Sequence, residues 1–257
     1  CCHNFFQMAT YKKRGGKIKS GQQTPEQESV TAEVFETLDT SAGRAEAWVA
    51  RNQKYILLSI GGVVLAVLLY LGYNSFVADP LNEASTNASA QASAYFKEGM
   101  EDPTLQDSLF TLALEGDGVA PGFIEIIEEY GSTNAGSLAK YNAGMIFLQQ
   151  GNYDLAIAYL DDFSTVDPIL GALALGGIGD AFTELDQLGD ALGYYSKAAS
   201  FAENSLTTPK FLFKGAQVAL ALGEKDKAAK MLQALQDDYP DAPQMTAVEV
   251  LLAQTQN

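Results

Sequence analysis

Imidazole and thiol are the commonest catalytic bases, metal ligands and nucleophiles, and this chain carries them only at Cys1, Cys2 and His3. The residues beyond them contain no glycine-rich phosphate loop, no serine nucleophile elbow and no D-x-D-x-D-G calcium loop. The paired carboxylates Asp161-Asp162 and Asp237-Asp238 fall near expected helix ends and loops, where solvated acids are ordinary. No catalytic residue, metal site or cofactor is therefore expected, and the chain is not expected to be an enzyme. What remains is charge. Of 32 acidic residues, 26 lie beyond Ala78, against 8 of the 16 basic ones, so this part carries a net charge of −18. Such a surface disfavours nucleic acid and anionic lipid as partners and favours basic or apolar ones.

The segment that divides the chain is Tyr55 to Ala78, 24 residues without a charge. As a helix it would be about 36 Å long, against a hydrocarbon core of ~30 Å. It has no polar stripe of the kind a soluble core helix carries, so it is expected to be a single transmembrane helix. Eight Lys and Arg precede it, including Arg51 and Lys54 at its start, while Asp79 and Glu83 follow its end. The positive-inside rule then places residues 1–54 in the cytoplasm and the remainder on the far side. A 54-residue segment before the helix and the absence of an A-x-A pattern in SFVADP indicate an uncleaved signal anchor. Met8 opens MATYKKRGGK and reads as a start, with residues 1–7 as an upstream extension.

Residues 8–23 have few apolar positions and are expected to be unstructured. Thr24-Pro25-Glu26-Gln27 is a helix start, with Thr as N-cap and Pro at the first helical position. Val30, Val34 and Leu38 give a short apolar stripe, Gly43 is expected to break the helix, and Arg44 to Lys54 leads into the membrane. After the span, residues 79–103 include EASTNASAQASAYFKEG and read as a solvated helical stalk. Thr104 to Glu115 reads as a helix, Gly116-Asp117-Gly118 as a turn, and Gly122 to Tyr130 as an amphipathic helix through Phe123, Ile126, Ile127 and Tyr130.

From Ser137 the chain repeats itself, over about 137–168, 172–205 and 209–242, with a capping helix at 243–257. Gly144, Gly179 and Ala216 correspond, as do Phe147, Phe182 and Ala219, and Ala156, Ala191 and Ala228. Small residues at these places let two antiparallel helices approach, and an aromatic fills the gap. Gly151 and Gly223 sit where an inter-helix turn needs φ > 0, and Asp186 takes that place in the second repeat. Pro168 and Pro240 are expected to end the second helix of their repeats.

Asn142, Gly144, Phe147, Gly151, Tyr153, Ala156 and Pro168 make the first repeat resemble the tetratricopeptide consensus, and the second and third resemble it less closely. The fold expected is all-α: one transmembrane helix (55–78) followed by a tetratricopeptide-repeat α-solenoid within residues 104–257. The whole layout, a signal anchor, a helical segment and a few such repeats, is similar to the bacterial YfgM-like family. That resemblance implies an ancillary subunit of the Sec translocon in the inner membrane, with its C-terminal domain in the periplasm. It implies partnership with translocon subunits and a membrane-anchored periplasmic peptidyl-prolyl isomerase (PpiD-like), and a chaperone-like role for emerging proteins. A scaffold subunit of another envelope machine, for secretion or motility, has the same fold.

Stacked repeats present their first helices on a concave face. There the first repeat offers Leu138, Tyr141, Met145, Leu148 and Gln149. The second offers Leu173, Gly176, Asp180, Thr183 and Glu184, and the third Lys210, Phe213, Gln217, Leu220 and Ala221. A clamp for a C-terminal carboxylate needs Lys, Asn or Arg at such places, and only Lys210 fits. The expected partner-binding groove is thus apolar with acidic spots, made of Leu138, Tyr141, Met145, Leu148, Asp180, Phe213, Gln217 and Leu220. The alternative is that Tyr141, Met145 and Phe213 are ordinary core, covered by the capping helix or by residues 104–130.

Overall fold

The computed structural model describes residues 25–256, with side chains for residues 46–255. The expected start at Met8, the unstructured stretch 8–23 and the Thr24 cap lie outside the described residues. The described chain is helical, with two compact units meeting between Tyr70 and Leu71. Helix α1 runs over Pro25–Tyr73 without a break at Gly43, in contrast to the expectation. One glycine costs only ~1 kcal/mol in a helix interior and does not by itself end one. Its apolar part is long and apolar enough to cross a membrane, and none of that stretch is buried within the protein. Leu58, Val63 and Leu69 are 76%, 64% and 66% exposed.

A π turn at Asn74–Ala78 leads into α2 (Asp79–Glu101). Pro80 lacks the N–H that would bond the carbonyl of Phe76, and the widened turn accommodates that loss. The solvated stalk expected for residues 79–103 is instead one wall of the folded unit. Ser85, Ala92 and Gly99 lie seven residues apart along one buried stripe of α2. Their small size lets α3 (Gln106–Glu115), α4 (Phe123–Tyr130) and α5 (Asn134–Gln149) approach closely. Phe110, Phe123, Ile126 and Ile146 fill the space between and are fully buried. Each such side chain stabilises the fold by ~1.5–3 kcal/mol relative to exposure. The expected turn is present, with Gly116 at φ 86° and Gly118 at φ 83°. Asp117 in that turn accepts a hydrogen bond from the Tyr95 hydroxyl at 2.9 Å, tying it to α2.

Three helix pairs follow: α5 with α6 (Tyr153–Asp161), α7 (Pro168–Glu184) with α8 (Leu188–Ser200), and α9 (Thr208–Ala221) with α10 (Lys225–Asp238). Helix α11 (Met245–Gln256) packs on the last pair, burying Val248. The turns within the pairs need a left-handed residue at the same place, and Gly151, Asp186 and Gly223 supply φ of 75°, 58° and 76°. The small residues act as anticipated. A Cβ on Gly144 would lie 2.6 Å from Leu160 of α6, and one on Gly179 would lie 2.8 Å from the Tyr195 ring of α8. Ala156, Ala191 and Ala228 are fully buried. Phe147 stacks on Tyr159 at 5.2 Å, and 35 residues later Phe182 stacks on Tyr194 at 5.4 Å. Pro168 departs from expectation. Helix α6 has already ended at Asp161, and Pro168 opens α7, behind Asp167, whose carboxylate accepts from the Ile169 and Leu170 amides at 2.8 Å.

Candidate functional site: the concave groove

Helices α5, α7 and α9 share one face of the stack, and an open groove of about 610 Å³ lies along it. Leu148 and Gln149, neighbours near the end of α5, line it with Asp180 and Glu184 of α7 and Gln217 and Ala221 of α9, each of these last two pairs spanning one helical turn. At its centre the Asp180 carboxylate accepts a 2.6 Å hydrogen bond from the Tyr195 hydroxyl. Lys214 reaches across from α9, its Nζ 2.6 Å from Oδ1 and 2.8 Å from Oδ2 of the same carboxylate. Thr183 Oγ1 donates to the Gly179 carbonyl at 2.8 Å and stands 3.1 Å from the Tyr195 oxygen. Burial, and then the hydrogen bond to Asp180, push the Tyr195 phenol well above its ordinary pKa. Nearer the mouth, the Tyr153 hydroxyl donates to Glu184 at 3.3 Å.

Of the residues expected to form the groove, Leu148, Asp180 and Gln217 line it. Leu138 lies elsewhere, in a separate hollow of about 640 Å³ with Phe163, Val166 and Leu170. Tyr141 is 9% exposed, its ring 5.3 Å from that of Phe163, packed among Leu160, Ala174 and Ile178. Met145 is half-buried against the same cluster, and Phe213 and Leu220 pack against the core of the second and third pairs. The groove is therefore mixed rather than mainly apolar, its polar side chains standing among Leu148, Leu188, Val218 and Ala221. Tyr141 and Met145 are covered by side chains of α6 and α7, and Phe213 by the core of the second and third pairs, whereas Ile146 and Phe147 on the other side of α5 pack against residues 104–130. Gly176 is closed in the same way, since a Cβ there would lie 2.0 Å from the Phe211 ring.

Lys210, the one candidate for a carboxylate clamp, has its Nζ over the Phe211 ring at 5.4 Å. Lys214 is the groove cation that the spacing did not single out. Its separation from Asp180 is 34 residues, about one helical turn short of the spacing between Gly179 and Ala216, so opposite charges facing each other across adjacent repeats are the signal that marks it. Among the described residues no three His, Cys, Asp or Glu side chains converge as a metal site would require.

Two family models, both described as tetratricopeptide repeat, match the chain, one over residues 141–205 and one over 211–242. The helix pairs above are thus a tetratricopeptide-repeat α-solenoid, a fold that serves protein–protein interaction. No curated protein matches the chain at a significant level.

Proposed function

We propose that this chain is a membrane-tethered adaptor with a chaperone-like role, holding a partner polypeptide in the groove between α5, α7 and α9. The observation that carries this reading is the groove itself, open and lined by Gln149, Glu184 and Gln217 on three consecutive repeats. The apolar stretch of α1 serves as the tether in a bacterial inner membrane, with residues 1–54 cytoplasmic, as Lys/Arg asymmetry favours. Tethering raises local concentration, so weak groove contacts suffice. By resemblance to the YfgM-like layout, the partners are translocon subunits and a membrane-anchored periplasmic peptidyl-prolyl isomerase, and the clients are exported proteins. The domains proposed are the tail (1–54), the span (55–78) and a folded domain in which residues 79–103 pack with the repeat region (104–257), and catalysis has no part in the role. The test is isolation of the full-length protein from native membranes in mild detergent, with mass spectrometry of its companions. Translocon subunits with the isomerase are expected. A different envelope complex without the translocon would replace this assignment with a scaffold role in that machine.

A further inference from the structure

The charges in the groove are unequally matched. Asp180 and Glu184 stand one turn apart on α7, and among the described residues Lys214 is the one cation lining the groove. The ammonium is on Asp180, and among the described residues Glu184 has the Tyr153 hydroxyl and no cation. The Asp180 carboxylate is also held from behind by Tyr195, which is 3% exposed. It therefore keeps its place when the ammonium leaves, an acceptor fixed in advance for a cation. Lys214 sits on a flexible four-carbon stem, and the side chains of the pair are 33% and 31% exposed. Such a pair is weak and open to exchange with another cation. Gln149 and Gln217 flank the carboxylates with exposed amides, suited to the backbone of an extended chain. The segment beyond Ala78, with its net charge of −18, attracts basic polypeptide over a longer range.

We infer that the groove accepts an extended polypeptide segment bearing lysine or arginine, and that Lys214 is a built-in competitor occupying the partner's cation site on Asp180. This rests on the groove being the interaction surface. A partner's basic side chain displaces Lys214 from Asp180 or pairs with Glu184. The contact between α7 and α9 thus sets a threshold that weakly basic segments do not cross.

The test uses full-length protein in detergent micelles and fluorescein-labelled ten-residue peptides of alternating lysine and alanine, or glutamate and alanine, read by fluorescence anisotropy. The lysine peptide is expected to bind more tightly than the glutamate peptide. Lys214→Gln is expected to tighten it about two- to fivefold, the scale of one partly exposed ion pair. Lys214→Arg should behave as the parent, Glu184→Gln should weaken binding, and Asp237→Asn, outside the groove, should leave it unchanged. Weaker binding on Lys214→Gln, or preference for the glutamate peptide, would overturn the inference and make Lys214 a receptor for a partner's carboxylate. If Glu184→Gln weakens binding and Lys214→Gln changes nothing, the groove reading survives and the competitor role is lost. If lysine-peptide binding ignores every groove substitution, the groove reading itself fails.

Discussion

Gly176 tests whether the stack is locked by side chains of one repeat seated on the backbone of the one before. It lies mid-way along α7, and Phe211 of α9, 1% exposed, covers it. A Cβ at 176 would stand 2.0 and 2.1 Å from Cε1 and Cζ of that ring, against an ordinary carbon contact of ~3.5 Å or more. The ring has little space to retreat, because it is buried in the core and also stacks on Tyr195 at 6.3 Å and 16°. Overpacking of this kind costs ~1–3 kcal/mol. Alanine is the better helix former by ~0.5–1 kcal/mol, which works in the opposite direction. Gly176→Ala is therefore expected to destabilise the solenoid by about 1–2 kcal/mol net, or lower its Tm by about 2–8 °C in a unit of this size. The assay is thermal unfolding followed by circular dichroism at 222 nm, alongside Phe211→Leu and the double variant. The smaller side chain should absorb part of the Gly176→Ala penalty, so the two changes should not add. If Gly176→Ala melts at or above the parent temperature, the socket reasoning is wrong, because the propensity gain alone would then account for the site.

Three further outcomes follow from the same contacts. Asp186→Gly should raise stability by ~0.5 kcal/mol, because glycine takes the φ of 58° without Cβ strain, and a lower Tm on this change would refute it. Tyr141→Glu should cost at least ~3 kcal/mol by removing a buried aromatic and placing a carboxylate among Leu160 and Ile178, whereas Leu138→Glu should stay within ~0.5 kcal/mol in chemical denaturation. The Tyr195 phenol titrates higher in the fold than in the unfolded chain, so its contribution is fully present below pH ~10 and is lost as pH rises through the folded value. Tyr195→Phe should flatten the alkaline fall in the urea midpoint, and an equally steep fall in this variant would show that Tyr195 has no part in it.

The helix pairs were legible because packing two antiparallel helices constrains residue type at fixed spacing. Gly144 and Gly179 must be small where Leu160 and Tyr195 press on them, and position 186 must turn left-handed whatever residue fills it. What was not legible was which neighbour covers an exposed-looking side chain. Tyr141 and Phe213 read as groove residues on their own helices, but neighbours from α6 and α7 bury Tyr141, and Phe213 is half-buried against the core of the second and third pairs. Gly176 looked like open floor and is a socket for a ring 35 residues on. The same limit explains α2, where serine and alanine suggested a solvated stalk. Those small side chains are what let the helix lie close against α3 and α5. Lys214 escaped notice because a position-by-position match to the repeat consensus overlooks pairing between repeats, and its partner lies on the adjacent repeat.

The most direct test of the central claim is site-specific photo-crosslinking in native membranes, with a photoreactive residue at Gln217 in the groove or at Leu155, which is 46% exposed and outside it. The groove account predicts discrete partner adducts from position 217 that Glu184→Gln diminishes, and none from position 155. Adducts from 155 with none from 217 would place the interaction surface elsewhere and contradict the account.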